Sequence, residues 1–132
     1  MHAVLDTAAD HLRNCGRIDD PYQQHRIGKM ATEVGTGYAW LDHAARYWAK
    51  IKRLEHASTT AALSAARLAI ERAALNVLEI AERSVGASGM IQPHPLERLM
   101  RDLRTYLRQP NPDAALSAIG RAVAGRSWSP SE

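Results

Sequence analysis

Residues 63–83 read LSAARLAIERAALNVLEIAER, and this run decides the fold. At 3.6 residues per turn, Leu63, Ala66, Ile70, Ala73, Val77 and Ile80 share one side of a helix, while Leu68, Leu75 and Leu78 lie on another. A helix apolar on more than one face belongs in the middle of a bundle, because each apolar face has to be covered by a neighbour. Gly86-Ala87-Ser88-Gly89 stops it. Pro95 opens a further helix that carries Leu96, Leu99, Met100, Leu103 and Leu107 at helical spacing. Its outer face is charged, with Glu97, Arg98, Arg101, Asp102, Arg104 and Arg108.

Upstream of this pair the pattern predicts two more helices. The first covers about residues 3–14, with Val4, Ala8 and Leu12 four apart, and Cys15-Gly16 as its stop. The second begins at Asp20-Pro21, a cap followed by a first-turn proline. Its stripe of Ile27, Met30, Val34, Tyr38, Leu41, Ala45 and Trp48 extends over some thirty residues. Gly35 and Gly37 interrupt it, each at a cost of about 1 kcal/mol relative to Ala, which implies either a kink or a close approach by another helix or a ligand. Lys50, Lys52 and Arg53 suit its C-terminal dipole. Residues 56–60 read as a break, with Ser58 or Thr59 capping the central helix.

Downstream, Pro110 closes the helix that Pro95 opened. Asn111-Pro112-Asp113 starts a short fifth helix, with Leu116, Ile119 and Val123 as its inward stripe. Alternating strand patterns and hairpin dipeptides are absent. The fold class expected is all-α: an antiparallel, up-and-down four-helix bundle with a short fifth helix, one domain over 1–126 and a tail over 127–132 in which Trp128 docks on the domain or a neighbour.

Composition narrows the function classes. The net charge is +3, and the arginines are interleaved with Glu and Asp rather than clustered, unlike a nucleic-acid footprint. Cys15 is the one cysteine, so no disulfide framework exists, and a reducing, cytoplasmic setting is expected. No apolar run reaches the roughly 18 residues of a membrane span, and Met1-His2-Ala3-Val4-Leu5-Asp6 lacks the basic start and long apolar core of a signal peptide. The six histidines do not pair four apart around a carboxylate, so no metal site is expected.

Two sets of residues carry candidate chemistry. His43, beside Asp42 and near Tyr38 and Tyr47, could act as a general base if a cavity and a partner were supplied. Arg101 and Asp102 are the polar residues of the fourth helix to test with them, although charged residues there also read as a solvated ion-pair network. Gly86-Ala87-Ser88-Gly89, with Arg83 just before it, is a Gly-bearing segment to which an anion could bind; as a helix terminator it is already explained.

The order Gly86-Ala87-Ser88-Gly89, Pro95-Leu96-Glu97-Arg98, Arg101-Asp102 resembles the C-terminal helical domain of the acyl-CoA dehydrogenase superfamily. There a helix ends in Gln-x-x-Gly-Gly-x-Gly and the next carries Glu-Arg-x-x-Arg-Asp. Gly16 followed by Gln23 resembles the family's entry to its next helix, and Leu107-Arg108-Gln109-Pro110 is more similar to the hydroxylase-type and natural-product branches. The resemblance implies a bundle that oligomerises into dimers or tetramers. It also implies an N-terminal helical domain and a central β domain, with FAD held between the β domain and the bundle and a neighbouring subunit contributing. Arg83, Gly86, Ser88 and Gly89 would then lie near the cofactor phosphates, and Arg13 with Gly16 partly echoes an Arg-Phe-Gly segment that touches flavin.

The sequence departs from that pattern in three places. Arg83 stands for the glutamine and Ala87 for the second glycine. Pro110 falls where many dehydrogenases carry the catalytic carboxylate, and no Glu or Asp occurs between Asp102 and Asp113. Three readings result. The first is a helical accessory subunit that oligomerises with itself or with a chain carrying the missing domains, binding FAD only with that partner. The second is a small flavin-independent enzyme or ligand-binding protein with a pocket between helices. The third is an interaction module without a ligand.

Overall fold

The computed structural model describes residues 1–50, 56–108 and 111–126. Lys52, Arg53, Pro110 and Trp128, to which roles are given above, lie outside the described residues. Among the described residues five α-helices follow one another: α1 (His2–Asn14), α2 (Pro21–Lys50), α3 (His56–Val85), α4 (Pro95–Leu107) and α5 (Pro112–Ala124), with a 3-10 turn at Ala87–Met90. No strand occurs among the described residues.

Starts and stops follow local chemistry. Asp20 Oδ1 accepts from the amides of Tyr22 at 2.8 Å and Gln23 at 3.2 Å, and Pro21 takes the first position of α2. Asn111 Oδ1 likewise accepts from Asp113 and Ala114 ahead of α5. One start differs from the sequence reading: α3 is already helical at His56, so residues 56–60 are its first turn rather than a break. Thr59 lies inside that helix and is buried rather than capping it. Ala-rich flanking residues favour helix strongly enough to absorb a His-Ala-Ser-Thr-Thr run.

Helix α3 is the axis, in contact with each of the other helices. Ala61, Ala62, Ala66, Ala73, Ala74, Val77, Leu78, Ala81 and Val85 are buried around its circumference. Alanine on an all-round buried helix lets neighbours approach closely. Helix α2 runs antiparallel to it: Glu33 Oε1 accepts from Asn76 at 2.8 Å, and Arg26 donates to the Arg83 carbonyl at 3.3 Å. Val4, Ala8, Met30, Val34, Leu78, Leu96 and Met100 form the shared core with the lower half of α3.

Gly37 shows which of the two explanations for the α2 glycines holds. Helix α2 is continuous, and a Cβ on Gly37 would stand 1.8 Å from the Met1 methyl, so the Met1 side chain packs directly on that backbone. Gly28 and Gly35 face open space. Alanine at either site is therefore expected to raise stability by up to about 1 kcal/mol, read as a higher urea midpoint at unchanged slope.

Two apolar stripes turn out differently from their sequence reading. On α5 the half-buried residues are Ala115, Ala118, Ile119 and Ala122, while Leu116 and Val123 point to solvent. On α2 the stripe is buried only up to Gly37. Beyond it Tyr38, Leu41 and Trp48 are 53%, 56% and 65% exposed. The reason is length. Helix α1 has thirteen residues against thirty in α2 and in α3, so it covers one half of the face those two helices share.

Candidate functional site

The bundle has two ends with different chemistry. At one end α3 stops at Val85, and Gly86 takes φ +79° and ψ −164°, a conformation essentially confined to glycine. The chain then makes the 3-10 turn, in which the Gly89 amide donates to the Gly86 carbonyl at 3.0 Å and Ser88 Oγ donates to the Val85 carbonyl at 3.3 Å. Gly89 is buried, and a Cβ there would stand 2.7 Å from Val85 and 3.0 Å from Leu96, so the packing leaves no room for a side chain. Gly86, Ala87 and Ser88 are exposed, and nothing lies within 4 Å of where a Gly86 Cβ would project. Arg83 sits one turn before them, exposed and paired with Glu79 at 2.7 Å. The structure thus brings Arg83, Gly86, Ser88 and Gly89 together on one corner, with the outer side of the turn open. Arg13 lies at the end of α1 and pairs with Asp10.

A polar groove of about 380 Å³ runs up from this corner between α2 and α3, lined by His25, Arg26, Lys29, Glu33, Glu79 and Arg83 among others. Just below it, Gln23 is buried, and in the orientation that satisfies its amide its oxygen accepts from Arg17 at 2.9 Å and Arg26 at 3.1 Å.

The same end holds a contact that the sequence reading did not anticipate. His94 Nδ1 accepts from the Leu96 amide at 3.1 Å and so caps α4, while His94 Nε2 lies 3.1 Å from His11 Nδ1 on α1. The cap fixes the tautomer: Nδ1 is the acceptor, so Nε2 carries the proton and donates it to His11. The signal was present in the sequence, since His94 precedes a first-turn proline at the cap position. Burial, and secondarily the neighbouring His11, hold the His94 pKa below its usual 6.5.

A histidine whose folded pKa lies below its unfolded value leaves the unfolded chain binding more protons in that window. Its stabilising contribution is complete above about pH 6.5 and is lost as pH falls from there towards the folded value. Between pH 7.5 and 5, the stability that this cap lends to α4 is expected to fall. His94→Asn, which caps without titrating, removes that pH dependence in urea titrations.

The second candidate set is spread over different surfaces. Asp42 pairs with Arg46, and His43 packs edge-on against Trp40 with ring centroids 5.6 Å apart; both residues are exposed on α2. Tyr47 is half-buried. Arg101 and Asp102 lie on the outer face of α4, Arg101 bonded to Glu97 and Asp102 3.5 Å from Arg98. Tyr38 faces a cavity, its hydroxyl 3.0 Å from His2 Nδ1. Among the described residues no group of three or more His, Cys, Asp or Glu side chains could hold a metal ion, and no helix is long and apolar enough to cross a membrane.

That cavity forms the other end of the bundle. It is an open cleft of about 580 Å³ at the start of α1, lined by Met1, Tyr38, Leu41, Leu63, Ile70 and Glu71 among others. Glu71 is only 9% exposed, and its Oε2 makes no hydrogen bond, lying 3.6 Å from the Arg67 guanidinium. Arg67 and Glu71 stand four apart on α3, and the pair lies in the cleft wall; nothing in a four-residue spacing separates such a pair from one on an open surface.

The turn at Gly86–Gly89 between α3 and α4 and the Arg101-Asp102 helix after it are the features on which the resemblance to a dehydrogenase-type helical domain rests. A family model described as acyl-CoA dehydrogenase, C-terminal domain, matches residues 1–107. The putative acyl-CoA dehydrogenase YdbM of Bacillus subtilis (strain 168) is 35% identical over 96 residues, which is 73% of this chain and 25% of the relative. The chain belongs to the acyl-CoA dehydrogenase family, of which it carries the C-terminal domain. It spans a quarter of the length of that curated relative. No solved structure matches it.

Proposed function

We propose that this chain is a helical accessory subunit of a flavin-dependent oxidoreductase, completed by a partner chain that carries the domains found elsewhere in full-length family members. The observation that carries this reading is the corner at Arg83–Gly89. It keeps the glycine-dependent turn of the family's motif, exposed on its outer side and flanked by an exposed guanidinium. An open turn and a cation fit the phosphates of FAD. Bound flavin would supply the redox chemistry; the part of this chain is to hold the cofactor's phosphates with Arg83 and the Gly86–Ser88 backbone. No carboxylate lies between Asp102 and Asp113, so the proton-abstracting base is assigned to the partner or to a different reaction type. A cytoplasmic, oligomeric assembly accords with this role.

The test is co-expression with the remaining three-quarters of the Bacillus subtilis relative as a surrogate partner, followed by gel filtration in the presence of FAD. Flavin absorbance travelling with both chains supports the reading, and Arg83→Ala should release flavin at lower ionic strength than the unsubstituted chain. A colourless complex, together with no FAD binding by calorimetry, overturns it.

A further inference from the structure

We propose that the groove between α2 and α3 binds a small phosphate monoester, with its phosphate on Arg17, Arg26 and Lys29 and its hydroxyl groups donating to Glu33. The pattern of charge pairing carries the assignment. Arg13, Arg83, Arg98 and Arg104 each pair with a carboxylate; among the described residues, Arg17, Arg26 and Lys29 do not. Arg17 and Arg26 instead converge on one amide oxygen, that of Gln23, at 2.9 and 3.1 Å. Gln23 is 1% exposed. A buried amide has no water to turn to, so it holds its partners in place. Arg26 is gripped from a second side, donating to the Arg83 carbonyl at 3.3 Å. Both of its bonds come from Nη1, which leaves the Nη2 and Nε hydrogens for a ligand. Two guanidinium cations held on a single neutral oxygen repel each other. An oxyanion shared between them removes that repulsion, and the planar N–H fork matches phosphate oxygens. Lys29 stands one turn beyond Arg26 on the same side of α2 and lines the groove with it. The first amides of α2 are no part of the site, since Asp20 Oδ1 already takes those of Tyr22 and Gln23.

The other end of the groove has the opposite chemistry. Glu33 lies two turns further along α2, about 10 Å from the level of Arg26. Its Oε1 accepts from Asn76 at 2.8 Å, which leaves Oε2 for a further donor. Glu79, the other carboxylate of the groove, is taken by Arg83. The groove of about 380 Å³ is of small-ligand size. A phosphate at the cationic end with hydroxyls at the Glu33 end fits both. The Gly86–Ser88 turn is not used, so phosphate binding here and flavin binding at the corner can fail separately.

The test is a titration of the isotope-labelled full chain, followed by magnetic resonance of its backbone amides at low ionic strength. The probes are inorganic phosphate, ribose 5-phosphate and ribose. Amides between Gln23 and Lys29 should shift and saturate with both phosphates, ribose 5-phosphate binding about tenfold more tightly, and ribose should shift none. Arg17→Gln and Lys29→Gln, both at exposed positions, should each weaken the two phosphates about tenfold. Glu33→Ala should abolish the preference for the ester. Arg98→Gln, which removes the same charge from the outer face of α4, should change nothing, and circular dichroism verifies that each variant is folded. No saturation by either phosphate up to about 10 mM, equal effects of Arg98→Gln and Arg17→Gln, or the same shifts with chloride at matched ionic strength overturns the proposal. So does equal affinity for the two phosphates, since the Glu33 end is then idle. Ribose 5-phosphate that displaces flavin from the co-expressed complex also overturns it, because the site then belongs to the corner. A co-expressed Arg17→Gln complex that stays yellow while losing ribose 5-phosphate supports it.

Discussion

Leu96→Ala is expected to cost about 2–5 kcal/mol, enough to bring a domain of this size close to half-unfolded at physiological temperature. Leu96 is fully buried at the first turn of α4, in one cluster with Leu78, Val85 and Met100. One of its methyl carbons lies 3.0 Å from where a Gly89 Cβ would stand, so the turn after α3 is moulded around it. Its amide is the one that His94 caps. Truncation leaves a cavity at the junction of α3, the 3-10 turn and α4, and the surrounding helices are too well anchored to collapse into it. Urea unfolding followed by circular dichroism measures the loss. Ile91→Ala provides the contrast: Ile91 is an exposed side chain nearby, and its removal should shift stability by less than about 0.5 kcal/mol. Equal effects for the two variants would mean that the α3–α4 junction is not packed as described.

Gly86→Val has the second largest expected effect, about 1–3 kcal/mol, from backbone strain rather than from packing. Nothing lies within 4 Å of the Cβ that the substitution adds, so no clash contributes. The cost arises because φ +79° with ψ −164° sets any side chain against its own backbone. Two bonds register the strain: the Gly86 amide closes α3 onto the Glu82 carbonyl at 2.8 Å, and the Gly86 carbonyl receives the Gly89 amide. A variant that relaxes by rotating Gly86 must break one of them and re-aim the exposed turn. Gly86→Ala should show most of the same loss, whereas Gly28→Ala and Gly35→Ala, in ordinary helical backbone, should stabilise. Within one protein, the sign of a glycine substitution then reports the local backbone. If the accessory-subunit reading holds, Gly86→Val also loses flavin under conditions where the folded fraction is still high.

Electrostatics adds little beside these terms. Several of the described arginines sit in exposed pairs with a carboxylate a turn away, such as Arg83 with Glu79 and Arg98 with Asp102, each worth about 0–1 kcal/mol. Arg104 with Glu82 ties α4 to α3 and is the one such pair described that crosses between helices.

What the amino-acid order determined by itself is local. Asp20-Pro21 and Asn111-Pro112 set helix starts because a side-chain oxygen and a fixed φ act on the next few amides only. The spacing Leu96, Met100, Leu107 set the buried face of α4, and the all-round apolar character of residues 63–83 placed α3 in the middle. The family resemblance rested on the same kind of information, a short ordered motif. Only the tertiary structure decided which apolar faces are covered. Tyr38, Leu41 and Trp48 continue the α2 stripe in register but stay exposed, because α1 covers the stripe only as far as the His2–Tyr38 contact. On α5, Ala115 and Ala118 pack where Leu116 and Val123 had the stronger apolar signal. Periodicity records that a face can be buried; burial needs a second surface at the same height, and helix lengths and register supply or withhold it. The long helix at residues 63–83 therefore has two halves with different fates: below Glu71 it is the core of a closed bundle, and above it is one wall of an open trough.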